Sequence, residues 1–264
     1  MFNNEPRNIG SMVGLTPSVK FLLMVNIAVF VLDYVLGIPI FDGLSLQADW
    51  YRTPFGFGQL FTYMFIHSTP MHLFANMLGL FFIGPTVERT MGAYKFYILY
   101  YVSGIIGGLG WSLIAGPNGL SCVGASGSVM GILGAFGAFY PNAKLLLWFI
   151  IPCRAWMLVV GLAIWELHET ISTPYVGGIA NAAHLMGGIA GCCYALTLKY
   201  PQRFQKFKSK LPGVGKRAPQ TRPAPKPERL SKEEIDAILD KIGKEGMGAL
   251  SPRERELLKR ATRR

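Results

Sequence analysis

VGASGSVMG, residues 123–131, crowds three glycines around two serines. Its flanks, SLIAGPNGLSC before it and ILGAFGAFY after it, read as ends of apolar helices. Small residues let helices approach closely in lipid, so the stretch reads as a packing stripe. It reads equally as a nucleophile, Ser126, with Gly124 and Gly127 letting backbone and substrate come near it. Nothing within the nine residues chooses between the two; the rest of the chain must.

Composition places that stretch in a membrane. Half of the chain is hydrophobic (51%) and only 16% is charged, with a mean hydropathy of +0.33, too apolar for an ordinary soluble domain. The net charge of +11 is uneven. Residues 1–200 carry eight Lys/Arg against seven Asp/Glu, whereas residues 201–264 carry eighteen against eight, which leaves +10 on the tail. A nearly neutral body thus seats in a lipid bilayer and a basic tail follows it, with nothing pointing to nucleic acid. The four cysteines (Cys122, Cys153, Cys192, Cys193) lack metal-site spacing and read as small hydrophobes without a disulfide.

About 20 apolar residues cross the hydrocarbon core as a helix. Six candidate spans follow: 19–37, 69–87, 94–115, 125–141, 155–172 and 181–199. The first lacks a signal-peptide cleavage pattern and counts as a span. Arg7 and Lys20 precede span 1, Arg89 and Lys95 separate spans 2 and 3, Lys144 and Arg154 separate 4 and 5, and Lys199 and the tail follow 6. The opposite loops hold one basic residue, Arg52, so the positive-inside rule puts both termini in the cytoplasm.

The domain plan is a lead over 1–18, a six-span body over 19–200, a basic Pro-rich linker over 201–229 and a soluble tail over 230–264. The long first outer loop, 38–68, carries Trp50, Tyr51, Phe55, Phe57 and Phe61 and reads as interfacial, as does NAKLLLWFIIPCR at 142–154, broken by Pro152. The linker segment 211–228 reads as disordered. In the tail, Ser231 with Glu234 forms a capping box, and Leu230 with Ile235 a hydrophobic staple. Ile235, Ile238, Leu239 and Ile242 share one helical face. Ser251, Pro252 and Glu254 start a second helix, which completes a hairpin.

Polar side chains inside spans are costly and are functional candidates by default. Spans 2, 4 and 6 all run inward from the outer face. His72 and Asn76 lie four residues apart in the first two turns of span 2, Ser126 opens span 4, and His184 lies near the start of span 6. Three helices therefore bring four polar groups to one depth. A serine becomes a good nucleophile when a neighbouring imidazole takes its proton. Asn76, His72 and backbone N–H groups at the start of span 4 supply oxyanion donors.

Other chemistries fail on their motifs. Ser128 occupies the second glycine position of G-x-S-x-G. His168-Glu169 does not continue as H-E-x-x-H, and Asp33 is the only aspartate in any span, which leaves no aspartyl pair. No metal site and no cofactor is implied. Glu166, His168 and Glu169 read as the polar interfacial end of span 5, with a role beside the site as the second reading. No carboxylate is placed to orient His184, so the expected machinery is a dyad.

GASG at 124–127, H-x-x-x-N at His72–Asn76 five residues after His67, and AHLMGGIAG at 183–191 together resemble the rhomboid intramembrane serine proteases in their compact six-span bacterial form, over about residues 15–200. Glu88-Arg89 after span 2 is similar to a structural pair of that family. The resemblance implies an all-α polytopic membrane protein, a six-helix bundle with a long interfacial first outer loop, here followed by the helical hairpin. It implies Ser126 as nucleophile, His184 as general base, and His72, Asn76 and the Ser126 backbone N–H as oxyanion hole. Gly187 and Gly191 would pack span 6 on span 4, and span 5 with the fifth outer loop would gate the substrate. Met130 stands where well-known members carry a tyrosine stacked on the catalytic imidazole. Gly58 and Gln59 stand where the family often has Trp-Arg.

The expected activity is endoproteolysis of single-span membrane proteins near the outer face of a bacterial inner membrane. The alternative is a non-catalytic rhomboid-like binding or quality-control protein, whose sign would be loss of the serine or the histidine; both are present. A transporter is less favoured, since no inverted repeat is evident. Oligomeric state is not legible.

Overall fold

The computed structural model describes residues 14–115, 121–147, 150–172, 178–208 and 232–261. Helix α1 (Pro17–Phe30) starts on a proline, whose missing N–H is harmless at that position, and runs on through a π-helical turn, Val31–Val35. Its N-terminus is held from the next span. Glu88 accepts from the backbone N–H groups of Ser18 (3.2 Å) and Val19 (3.1 Å) and from the Thr16 hydroxyl, a negative charge at the positive helix end. Arg89 donates to the Gly14 carbonyl. The Glu88-Arg89 pair is therefore a clamp on α1. Asp33 starts the short helix α2 (Phe41–Leu44) by accepting from the N–H groups of Ile40 (3.0 Å) and Phe41 (2.9 Å).

The first loop is tied down despite its Gly58-Gln59. It holds a 3-10 turn (Trp50–Arg52), helix α3 (Gly56–Thr62) and a second 3-10 turn (Tyr63–Phe65). The Trp50 indole donates to Ser112 (2.9 Å), Gln59 accepts from the Gln47 N–H (3.1 Å), and Leu46 and Cys122 exchange both backbone hydrogen bonds (2.9 and 2.8 Å). Leu46, Tyr63 and Met64 are buried while Tyr51, Phe55 and Phe57 are exposed, an amphipathic division suited to an interface.

Helices α4 (Pro70–Met91), α5 (Ala93–Ala115), α6 (Ser126–Phe139), α7 (Ala155–Ser172) and α8 (Gly178–Lys199) fall on the other five expected spans. Among the described residues, three segments are long and apolar enough to cross a membrane: Pro17–Val35, Pro70–Met91 and Ala93–Ala115. At 14 residues α6 is about 21 Å long and too short for that measure. It is the innermost helix, buried at every residue from 131 to 137. Exposed Phe21, Met24 and Ile27 on α1, Phe81 and Phe82 on α4, and Ile164 and Trp165 on α7 make a surface that lipid, not water, can cover. The chain is a membrane-embedded, multi-pass protein.

One feature departs from the all-α expectation. Lys144–Leu147 (β1) and Ile151–Arg154 (β2) form an antiparallel hairpin, paired Lys144 to Arg154 through Leu147 to Ile151. The run is too short and too interrupted for a helix, and Pro152 is tolerated because each strand of a two-stranded ribbon keeps an open edge. The first eight linker residues are helical, α9 (Pro201–Lys208), where Pro201 suits a first helical position. The segment 211–228 and the Leu230 and Ser231 parts of the first tail cap lie outside the described residues.

The tail is a separate unit of α10 (Lys232–Glu245), a 3-10 turn (Met247–Ala249) and α11 (Pro252–Ala261). The second capping box is formed: Glu254 N–H donates to the Ser251 hydroxyl (3.3 Å), and Ser251 N–H donates to the Glu254 carboxylate (2.7 Å), which Lys241 also reaches at 3.1 Å. The Ser251 contacts first, then the Lys241 ammonium, hold that carboxyl down at about 2. Ile238 and Leu250 are buried, but Leu239, expected on the packed face, is exposed.

Candidate active site

The site is built at the start of α6. Gly124 sits at φ +119°, closed to other residues without strain, and its N–H donates to the Tyr63 carbonyl (3.0 Å). A Cβ there would stand 2.6 Å from His72 Nε2, so this glycine gives the imidazole its place. Ser126 follows as the first residue of α6, where the leading N–H groups lack intrahelical acceptors and the helix end is positive. The two serines of the stretch separate in role. Ser128 is buried and donates to Met64 Sδ (3.4 Å), a packing contact, while Ser126 is half-buried.

Helix α4 supplies the next wall. Thr69 caps it by accepting from the His72 N–H (3.1 Å), which fixes the first turn. Asn76, one turn on, is buried; its amide donates to the His72 carbonyl (3.1 Å) and lies 3.7 Å from the Cβ position of Gly124. His67, in the loop before α4, accepts weakly from the Ala125 N–H (3.5 Å), and its ring lies 5.0 Å from that of His72. Burial pushes the His67 imidazole down to about 4, so it is neutral at pH 7. His67 is not among the residues expected at the site, though its place five residues before His72 is visible in the sequence.

Helix α8 closes the arrangement. A Cβ on Gly187 would stand 2.2 Å from the Gly127 carbonyl oxygen, and one on Gly191 2.0 Å from that of Gly131, so α6 and α8 cross backbone to backbone. His184 lies one turn before Gly187, as Ser126 lies beside Gly127, and the carbonyl oxygen of Ala183, the residue before His184, stands 3.4 Å from the Cβ position of Gly127. His72, Asn76, Ser126 and His184 are thus gathered at one end of the α4–α6–α8 packing. Met130 packs toward Gly188, and with His184 it lines a cavity of about 150 Å³ among α6, α7 and α8.

One expectation is overturned. A carboxylate does face His184: Glu166 Oε1 lies 3.0 Å from His184 Nδ1. The polar end of α7 therefore divides. His168 is exposed and contacts Glu169 and Ser172 (3.4 Å each), while Glu166 turns inward and is buried. The signal is phase: Ala155, Val159, Leu162, Ala163 and Glu166 recur at helical spacing, and the last four line the cavity. Residues 173–177 of the expected gate lie outside the described residues. Cys122, near Ser126 in sequence, is buried in its loop, and burial pushes its thiol up to about 12. Among the described residues, no three His, Cys, Asp or Glu side chains converge as metal ligands would.

Among known proteins, a profile described as the Rhomboid domain matches residues 47–201. The chain belongs to the rhomboid family. It is 31% identical over 205 residues to Rhomboid protein 1, mitochondrial, of Saccharomyces cerevisiae, covering 73% of this chain but 54% of the yeast protein. Rhomboid protease AarA of Providencia stuartii matches at 28% over 208 residues, 66% of this chain and 70% of its own length. Rhomboid protease GlpG of Klebsiella pneumoniae matches at 27% over 187 residues, 66% and 60% respectively. The two bacterial relatives are named as proteases, and the chain spans between about half and seven tenths of the length of these three proteins. Residues 227–264 match a separate family of unknown function.

Proposed function

We propose that the chain is an intramembrane serine endopeptidase in which Ser126 is the nucleophile and His184 the general base. Six helices cross the bilayer with both termini on the cytoplasmic side, and single-span proteins are cut near the outer face. The observation that carries the reading is the convergence of His72 and Asn76 from α4, and of the turn of α8 that carries His184, on the N-terminal turn of α6, where Ser126 sits.

The chemistry follows from that placement. As Ser126 Oγ attacks the scissile carbonyl carbon, its proton passes to His184 Nε2. The carbonyl oxygen gains negative charge beside the Asn76 amide, His72 and the free N–H groups of the first turn of α6. Collapse breaks the C–N bond, and the imidazolium gives its proton to the leaving amine. Water, activated by the same imidazole, then hydrolyses the acyl-enzyme. A substrate helix hides its carbonyls in its own hydrogen bonds, so the cleaved segment must unwind, and small or helix-breaking residues near the cut favour it.

The test is covalent labelling of purified full-length protein with a fluorophosphonate, with Ser126→Ala as control. Labelling of the wild type alone is expected. Equal labelling of both proteins, or of neither, overturns the assignment.

A further inference from the structure

We propose that Glu166 is a positioning residue for His184, so that this chain works with a serine–histidine–glutamate relay. The inference rests on the Ser126–His184 reading above and adds to it the part the sequence did not disclose.

Three observations converge. The contact is short, 3.0 Å between Glu166 Oε1 and His184 Nδ1, and the two side chains are only 9% and 24% exposed. Its surroundings are apolar: Met130, Leu133, Leu162 and Ile189 share the cavity wall with the pair, so little water competes for the contact. Finally, Glu166 Oε2 is buried and finds no hydrogen-bond partner among the described residues. Burying a carboxylate with one oxygen unsatisfied is unfavourable for the fold, and such groups are kept where chemistry uses them.

The consequence for the imidazole is definite. An ionised carboxylate only accepts hydrogen bonds, so the proton of the neutral ring sits on Nδ1 and the lone pair on Nε2, the nitrogen a serine hydroxyl needs. When Nε2 takes the Ser126 proton, Glu166 lies against the resulting imidazolium and stabilises it; no proton moves to Glu166. The relay also fits the sequence beside it. Met130, a flexible thioether, stands where a stacking tyrosine would hold the ring from α6, and here the ring is held from α7.

The experiment measures the rate of fluorophosphonate labelling at Ser126 per folded molecule, alongside the melting temperature, in wild type, Glu166→Leu, Glu166→Gln and Glu166→Asp. Glu166→Leu removes the acceptor and should slow labelling by roughly 10–10²-fold, less than the ~10⁴ seen when a serine protease's His tautomer is lost, because α7–α8 packing still confines the ring. Glu166→Gln keeps the size and one acceptor but no charge, and Glu166→Asp keeps the charge at greater reach; both should fall between. Wild-type labelling rates in folded Glu166→Gln and Glu166→Asp, with only melting temperature lowered, would mean a structural staple between α7 and α8 and would overturn the proposal. The proposal falls equally if Glu166→Leu, once corrected for folded fraction, labels at the wild-type rate. A wild type that does not label at all instead overturns the protease assignment itself.

Discussion

A donor that matters only when negative charge develops on the substrate oxygen acts on the transition state, not on binding. Asn76→Ala should therefore lower kcat on the order of 10²–10³-fold with KM little changed. His72→Ala should be milder, because N–H groups of the α6 first turn remain. Were Asn76 only a packing hydrogen bond within α4, its loss would remove about 0.6 kcal/mol of stability and leave kcat of folded protein intact. Steady-state kinetics and melting temperature on the same sample separate these outcomes. Alkylation should spare activity, since the buried Cys122 thiol, pushed up to about 12, is inert; inactivation abolished in Cys122→Ser would contradict this. Burial holds His67 at about 4 against an unfolded value near 6.5, so between those limits the unfolded chain binds more protons than the folded one. Stability should thus hold above about pH 6.5 and fall as pH drops toward 4, and His67→Gln should flatten that decline in thermal melts. The gathering of Ser126, His184, His72 and Asn76 is legible where motif and depth coincide. The contact of Glu166 with His184 is carried by no motif and follows from the rotation of α7 about its own axis, which only the phase of its inward-facing residues records.

At the scale of elements, close approach of α6 and α8 sets the site. A β-carbon added at Gly187 or Gly191 would meet the carbonyl oxygen of Gly127 or Gly131, backbone atoms that cannot rotate aside. Gly187→Ala and Gly191→Ala should each destabilise by about 1–3 kcal/mol, as overpacking does. Only Gly187→Ala, beside both Ser126 and His184, should also lose most of the turnover of its folded fraction. Thermal melts with activity normalised to folded protein read the difference, and equal activity loss in both would show that the whole interface, rather than its upper crossing, aligns the dyad. The glycine pattern Gly187-x-x-x-Gly191 announces this crossing from sequence alone. The β1–β2 hairpin and α9 are not announced: each strand is four residues, a length at which an apolar run fits strand, helix or interfacial coil alike, and α9 is a polar stretch of eight residues, PQRFQKFK.

For the whole molecule, the division between an apolar body and a cationic tail is plain from charge alone, and the structure separates two compact units after Lys210. Every group assigned to the chemistry lies in the first unit, and α9 begins where the last span ends. Truncation after Lys210 should therefore leave labelling of Ser126 within a few-fold of wild type. The tail has a different physical property, since eighteen basic groups against eight acidic ones follow Lys199. Juxtamembrane basic residues gain roughly 1 kcal/mol each near anionic lipid, an attraction that salt screens. A peptide of residues 201–229, unstructured or not, should bind vesicles containing phosphatidylserine at low ionic strength and release at high salt, with no binding to phosphatidylcholine alone. Equal binding to both vesicle types would make the tail's charge irrelevant to the surface. A hundredfold loss of Ser126 labelling in folded truncated protein would instead place part of the machinery in the tail, which no contact among the site residues requires.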